Sequence, residues 1–261
     1  MPPPTILVTN DDGVDAAFFR QLVLALNEVA DVCAVAPADE QSWIGKAMSR
    51  YRDVAVRRIE TFPCPAWAVD GTPSDCVNLG IAHLLPNRPD LVVSGINIGL
   101  NAGLPLILNS GTVAAALEGA LLGIPALALS QHLPAEAFQR LKADPNALDP
   151  ETRTSLEAAA AISARFAGTL ASTGNPRTEV NNLNFPFPTR PDTPLEETVP
   201  ARLNPGSLYR KTPGGLFRFQ FQLPDEDGQE SLSDIACLKK GAVSRSVLAF
   251  GSLGLRPLQK N

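Results

Sequence analysis

The first half of the chain alternates short apolar runs with longer stretches in which apolar residues recur every three or four positions. The short runs predict strands, and the helically spaced stretches predict amphipathic helices. Strands and helices in this alternating order are typical of βαβ units around a parallel sheet. We therefore predict strands at residues 5–9, 32–36, 53–59, 66–69, 91–94 and 126–130, and helices at residues 16–29, 74–85 and 112–122.

The second half follows a different pattern. Several prolines after residue 131 predict a surface excursion ahead of a helix at residues 154–170, and a polar, Gly-rich loop is predicted before Ser110. Beyond residue 175, Pro-rich turns separate strand-like pieces at residues 180–185, 216–223 and 242–250.

These patterns predict an α/β fold, a Rossmann-like mostly parallel sheet with helices on both faces, plus a smaller β-rich C-terminal appendage. We place the Rossmann-like core at residues 1–174 and the appendage at residues 175–261. Its short strands have edges that a second chain can pair, so we predict an oligomerisation arm.

The amino-acid composition indicates which class of protein this is and which partners it is expected to bind. With 44% hydrophobic and 19% charged residues, the balance is that of a globular protein. A net charge of −5 argues against long nucleic acid as a partner, so any nucleotide partner should be small. We expect no membrane span and no signal peptide, because the longest apolar stretch is interrupted at Glu118 and Pro125 and the N-terminus lacks a basic segment. The cysteines lack zinc-binding spacing, so a reduced, cytoplasmic enzyme is expected.

Polar residues follow three of the predicted strands at their carboxyl ends, where open α/β sheets bind ligands. Asp11 and Asp12 follow the first strand, Ser42 lies after the second, and Asn97 lies after the strand at residues 91–94. Adjacent carboxylates repel each other unless a cation lies beside them. Carboxylate, hydroxyl and amide oxygens suit a hard ion such as Mg²⁺ or Mn²⁺. Taken alone, each of these residues is also an ordinary turn residue.

A fourth polar segment, Ser110-Gly111-Thr112, opens the helix predicted at residues 112–122. Free amides at the positive end of a helix dipole bind anions such as phosphate, although a simple N-cap is the alternative interpretation. A metal site at the edge of the sheet beside an anion-binding helix start is suited to phosphoryl transfer to water. The chain has no P-loop and no GxGxxG fingerprint, and its two histidines lie outside these segments, which argues against a Ser-His-Asp hydrolase.

Five segments of the first half carry a more specific signature. They read ILVTNDDGV at residues 6–14, VAPADEQSWIG at 35–45, VDGTPSDCVNLG at 69–80, PDLVVSGINIGLNAG at 89–103 and SGTVAAALEGALLGIPALALS at 110–130. In this order they resemble SurE, the survival protein E family of metal-dependent 5'-nucleotidases. NLNFP at residues 182–186 and SDIACLKKGAVS at 233–244 resemble later family segments more loosely.

The resemblance implies a site for one divalent ion and a phosphate. The implied metal ligands are Asp11, Asp12, Ser42 and Asn97. The implied phosphate contacts are Asn101, Ser110, Gly111 and Thr112, and the implied catalytic residues are Asp11, Asp12 and Asn101. The resemblance further implies a homodimer or homotetramer with an exchanged C-terminal β arm.

The chain departs from the family pattern at three places near this site. Gly45-Lys46-Ala47 stands where the family commonly shows Gly-His-Ser, Leu104-Pro105-Leu106 stands where a carboxylate usually precedes the SGT turn, and Asn109 replaces an aromatic residue or histidine. These changes leave the metal set intact. They bear on substrate preference and on the shape of the loop before Ser110.

The function that the resemblance implies is removal of phosphate from nucleoside 5'-monophosphates by a metal-dependent phosphomonoester hydrolase. Asp12 is the candidate acid or base, and Lys46 is a candidate for stabilising negative charge. Two alternatives remain. One is a phosphatase acting mainly on 3'-nucleotides or polyphosphate, and the other is a non-catalytic nucleotide-binding module on the same sheet.

Overall fold

The computed structural model describes residues 2–174, 178–221 and 232–253. Its strands are β1 (Thr5–Thr9), β2 (Asp31–Pro37), β3 (Val56–Ile59), β4 (Ala66–Val69), β5 (Leu91–Ile98), β6 (Ala126–Gln131), β7 (Glu179–Phe185), β8 (Leu195–Thr198), β9 (Tyr209–Lys211), β10 (Phe217–Phe219) and β11 (Val243–Ala249). Its α-helices are α1 (Ala17–Asn27), α2 (Pro73–Leu79), α3 (Leu104–Asn109), α4 (Gly111–Leu121), α5 (Ala135–Ala143), α6 (Pro150–Thr173) and α7 (Asp234–Lys239).

A nine-stranded sheet in the order β3-β4-β2-β1-β5-β6-β7-β11-β8 forms the centre of the fold. The strands from β4 to β7 in this order are all parallel, whereas β3 and β11 run antiparallel to their neighbours β4 and β7. The prediction of a mostly parallel α/β sheet is therefore confirmed. From β1 the chain passes to β2 on one side, and later to β5 on the other. Strand order reverses between β1 and β5, which is where such sheets open a ligand crevice.

Helices cover both faces of the sheet because neighbouring side chains on a strand point in opposite directions. In β1, Ile6 and Val8 belong to the core layer that contains residues of α1 and α6, such as Phe18 and Leu156. Leu7 belongs to the layer on the other face, with residues of α2 and α4. Burial from both sides explains why the three central residues of β1, Ile6 to Val8, are all apolar rather than alternating with polar residues.

The central strand β5 is longer than predicted. The expectation that it ends at residue 94 is wrong, because pairing with β6 resumes at Asn97 after a register shift that follows Ser94. Gly95 permits this continuation, since a Cβ atom there would lie 2.3 Å from the carbonyl oxygen of Leu129. Ser94 to Asn97 are consequently part of a bulged strand rather than of a following loop.

Two helices occupy segments that were predicted as irregular. The loop expected before Ser110 contains α3, with Pro105 in its first turn, and the surface excursion after residue 131 contains α5. The helix predicted at residues 74–85 begins at the Thr72 cap as α2 and continues as a π-helical turn over Gly80–Leu84.

Three strands beyond residue 175 extend the central sheet, namely β7, β11 and β8, while β9 and β10 form a separate two-stranded hairpin. The strands predicted at residues 180–185 and 242–250 correspond to β7 and β11. The strand predicted at residues 216–223 corresponds to β10, although residues 222 and 223 lie outside the described residues. Within the described part of the chain, no helix has an apolar stretch long enough to span a bilayer.

Candidate active site

The Asp11-Asp12 pair lies where the ends of β1 and β5 meet the loop after β2. The backbone carbonyl of Asp11 accepts a hydrogen bond from the Gln41 amide at 2.7 Å. The Asp12 carboxylate accepts one from the Ile98 amide at the end of β5, at 3.0 Å. These two bonds bring the predicted ligand segments around residues 11, 42 and 97 to one place, as the sequence predicted for strand ends on one sheet edge.

The first turn of α4 packs directly on Asp11. The Thr112 hydroxyl donates to Asp11 Oδ1 at 2.6 Å, and the Thr112 amide donates to Oδ2 at 3.2 Å. A Cβ atom on Gly111 would lie 2.9 Å from the Asp11 Cβ, so this close approach requires glycine. Thr112 was predicted as a phosphate contact. In the structure its hydroxyl and amide both orient Asp11 instead.

Burial removes water from around both carboxylates, and each lies near other negatively charged carboxylates. Asp11 is 3% exposed, and burial raises its pKa from 3.8 to about 6 against the lowering effect of the Thr112 hydrogen bonds. Burial and the charge of Asp11 raise the pKa of Asp12 well above its ordinary value. The Glu40 carboxylate raises the pKa of both groups further. A cation beside the pair relieves this repulsion and favours the ionised forms.

Ser42 and Asn97 have oxygen atoms suited to complete a hard-ion site. The Ser42 hydroxyl donates to Glu40 Oε1 at 2.8 Å, which leaves the hydroxyl lone pairs as the ligand. Asn97 uses its amide nitrogen to donate to the Gly99 carbonyl at 3.2 Å, so its oxygen is the group left for an ion. The described residues contain no cluster of three or more His, Cys, Asp or Glu arranged for a metal. The proposed ligands include only two acidic residues. Their carboxylate oxygens, together with the hydroxyl oxygen and the amide oxygen, are the oxygen donors that suit Mg²⁺ or Mn²⁺.

The start of α4 has both features that were predicted as alternatives for the Ser110 segment, an N-cap and a free amide suited to an anion. The Ser110 hydroxyl accepts from the Val113 amide at 3.0 Å, which makes Ser110 the N-cap. The Val113 amide donates to the cap and the Thr112 amide donates to Asp11. The Gly111 amide, in the same turn, donates to neither. It lies at the positive end of an 11-residue helix, where a phosphate oxygen is stabilised.

Asn101 is held in place by residues that sequence reasoning did not assign to the site. Its backbone amide donates to Asn184 Oδ1 at 2.8 Å, and its carbonyl accepts from Asn182 Nδ2 at 2.8 Å. Its side-chain amide donates to the Ser130 hydroxyl at 2.8 Å. Two residues further on, the Gly103 amide donates to Asp234 Oδ2 at 2.8 Å. The available signal was the run of asparagines in an otherwise apolar strand, β7, since buried amides require specific partners.

The positions that depart from the family pattern form contacts of their own. Lys46 makes an ion pair of 2.6 Å with Glu118, a residue of α4 that also accepts from Asn78 at 2.8 Å. The ammonium group therefore ties the Ser42 loop to α4. Leu104-Pro105-Leu106 forms the first turn of α3, and the Asn109 side chain donates back to the Pro105 carbonyl at 2.8 Å.

Comparison with known proteins identifies relatives of this chain. Residues 6–206 match the family model described as Survival protein SurE. A curated 5'-nucleotidase SurE from Methanosarcina mazei is 38% identical over 262 residues, covering 95% of this chain and 93% of the relative. Another 5'-nucleotidase SurE, from a Geobacter species, is 40% identical over 195 residues, covering 75% of this chain and 68% of the relative. The crystal structure of a SurE protein from Aquifex aeolicus superimposes with a TM-score of 0.76 at 28% identity, covering 94% of this chain and 93% of that one. This chain therefore belongs to the survival protein SurE family.

Proposed function

We propose that this protein is a divalent-metal-dependent phosphomonoesterase that releases phosphate from nucleoside 5'-monophosphates. The observation that carries this proposal is the Asp11-Asp12 pair, with Asp11 buried and Asp12 half-buried, at the reversal of strand order beside the start of α4. Relatives named 5'-nucleotidase SurE support the substrate class.

Asp11, Asp12, Ser42 and Asn97 hold one Mg²⁺ or Mn²⁺ ion in this proposal. When bound, such an ion withdraws electron density from a phosphoryl oxygen and lowers the pKa of a water molecule. Thr112 fixes the rotamer of Asp11 through its 2.6 Å hydrogen bond, so the ligand is in place before the ion arrives. Asp12 is the candidate for moving a proton between the attacking water and the site.

The phosphate lies beside the Asp pair, against the start of α4, in this proposal. The Gly111 amide and the helix dipole stabilise negative charge that develops on the phosphoryl oxygens. The Asn101 side chain has one amide hydrogen directed at Ser130 and a second that is available to the phosphate. Ser110 keeps the first turn of α4 in shape by capping it.

A panel of phosphate esters tests the proposed function. Phosphate release is measured from 5'-AMP, 3'-AMP and polyphosphate, each with EDTA and then with added Mg²⁺ or Mn²⁺. We expect release from 5'-AMP that disappears with EDTA and returns with either metal, because all proposed ligands are oxygens. A higher rate on 3'-AMP or polyphosphate contradicts the substrate assignment. Tight binding of 5'-AMP without phosphate release from any ester indicates a nucleotide-binding module instead.

We further propose a cytoplasmic homo-oligomer that associates through its C-terminal region. The four cysteines are all unpaired, as expected of a protein in a reducing compartment. Large apolar side chains at the turn end of the β9-β10 hairpin, Leu216 and Phe217, are 73% and 68% exposed. Exposed apolar residues of this size are typical of an association surface.

A further inference from the structure

An aromatic cluster lies beside the proposed metal ligand Ser42. Trp43 follows Ser42 directly and packs against two residues of the hairpin segment, with ring centroids 4.8 Å from Phe219 and 5.1 Å from Phe221. Phe219 in turn packs edge-to-face on Tyr209, its partner across the hairpin, at 5.8 Å. We call Trp43, Tyr209 and Phe219 the aromatic platform.

The position of Trp43 is tightly constrained. Its φ angle is 62°, in the left-handed region that a bulky side chain rarely adopts. Two residues before it, Gln41 is bonded to the Asp11 backbone, and two residues after it, the Gly45 amide donates to the Asn109 carbonyl at 3.0 Å. Because a residue spans at most about 3.6 Å of chain, the Trp43 Cα lies within roughly 7 Å of the Gln41 Cα.

The platform keeps a large area open to solvent. Trp43 is 37% exposed, Phe219 is 41% exposed and Tyr209 is 59% exposed. Among the described residues, packing of the hairpin therefore leaves a large part of these side chains exposed. Aromatic rings with open faces stack on the bases of nucleotides, and such stacking tolerates any base because every base has a π-face.

We propose that the aromatic platform binds the nucleobase of the substrate. This inference rests on the proposed function, which puts the phosphate at Asp11 and Gly111. The base of a nucleoside 5'-monophosphate lies across the ribose from its phosphate, so it contacts residues next to the metal ligands rather than the ligands themselves. Trp43 is such a residue, because it directly follows the proposed ligand Ser42 in the loop after β2. The platform thus selects esters that carry a planar ring over phosphate esters of a bare sugar.

The rival explanation is that these aromatic residues only attach the hairpin to the core. A two-stranded hairpin is marginally stable alone, so some packing of this kind is required. The two explanations differ in what a truncation does. Loss of packing alone lowers activity on all esters alike, whereas loss of a base-binding surface lowers activity on nucleotides selectively.

The first test compares kcat/KM for 5'-AMP with kcat/KM for ribose 5-phosphate, in the wild type and in Trp43→Ala and Phe219→Ala. We expect the ratio of the two values to fall about tenfold in both variants, the usual effect of removing one stacking ring. Tyr51→Ala is the matched control, because Tyr51 is an 89% exposed aromatic residue of the same region that lies outside the platform. Its ratio should stay at the wild-type value. An unchanged ratio in both platform variants overturns the proposal.

The second test measures binding without turnover. The chain has two tryptophans, so Trp67→Phe leaves Trp43 as the sole tryptophan reporter. Adenosine and 5'-AMP should quench its fluorescence, while ribose 5-phosphate should not. Quenching by adenosine in a protein that hydrolyses no ester refutes the proposed function and retains the platform. Hydrolysis of 5'-AMP with no quenching and an unchanged ratio refutes the platform and retains the function.

Discussion

Asp11 and Asp12 place two adjacent carboxyl groups where water solvates them poorly. The pKa of Asp11 is raised from 3.8 to about 6, chiefly by burial, and the same cause raises the pKa of Asp12 well above its ordinary value. The folded protein therefore binds protons at these groups more tightly than the unfolded chain does. The associated stability is fully present below about pH 4 and is lost, for Asp11, as the pH rises through about 6.

Asp12→Asn should consequently stabilise the protein in EDTA at about pH 8, because it removes a half-buried charge next to the buried charge of Asp11. Its side-chain oxygen still accepts from the Ile98 amide, which keeps the local structure. We expect a rise in Tm of a few degrees, since one kcal/mol corresponds to about 2–4 °C in a domain of this size. At about pH 5 the gain should be smaller, because protons then relieve part of the repulsion.

Asp192→Asn is the control for this experiment, because Asp192 is exposed and its loss changes the net charge equally. Its Tm should match the wild type at both pH values. A drop in Tm for Asp12→Asn at the higher pH contradicts the account of a strained carboxylate pair.

Strand β7 and helix α7 shape the loop that carries Asn101. Asn182 and Asn184 bond its backbone, and Asp234 bonds Gly103. These contacts join the first half of the chain to its last third. The C-terminal region therefore contributes to the proposed active site in addition to its proposed role in association.

Asn184→Ala should lower kcat on 5'-AMP roughly 10- to 100-fold, because a shift of about 1 Å in a positioning loop has effects of that size. Asn181→Ala is the matched control. Asn181 is a buried asparagine of the same strand, and it bonds Arg245 rather than the loop. Both variants should lose stability, measured as Tm, but only Asn184→Ala should lose kcat. Equal losses of kcat in the two variants contradict a positioning role for Asn184.

The sequence predicted the elements in which a continuous local pattern of apolar residues marks the strand or helix. Strands β1, β2 and β4 and helices α1 and α4 lie where periodicity placed them, and the Asp pair and its neighbouring segments meet at one edge as expected. Helix α3 escaped prediction because six residues are too few to establish a helical period.

The extension of β5 escaped prediction for a different reason. Gly95 interrupts the apolar run, and only the neighbouring strand β6 supplies the pairing that continues it. The same limit applies to the site. Asp234 contacts Gly103 across 131 positions of sequence, a pairing that no local pattern indicates.

In the molecule as a whole, β9 and β10 are the strands, among the described residues, that lie outside the central sheet. The turn end of their hairpin has the exposed side chains Leu216 and Phe217. We expect the double variant Leu216→Asp/Phe217→Asp to lower the oligomeric state measured by light scattering, since two charges prevent burial of that surface. Leu121→Asp, on the exposed side of α4 at 57% exposure, should leave the oligomeric state unchanged. An unchanged mass for the hairpin variant contradicts association through this surface.

In the proposed mechanism, Asp11 and Asp12 hold the catalytic divalent ion. The most direct test is kcat on 5'-AMP as a function of Mg²⁺ or Mn²⁺ concentration for the wild type, Asp11→Asn and Asp12→Asn. Each variant removes one negative charge from the ligand set, so half-maximal activity should require more metal than in the wild type. For Asp12→Asn the rate at saturating metal should also remain lower by roughly 10²- to 10⁴-fold, the usual weight of a group that moves a proton. Wild-type rates and wild-type metal dependence in both variants would contradict metal binding by the Asp pair.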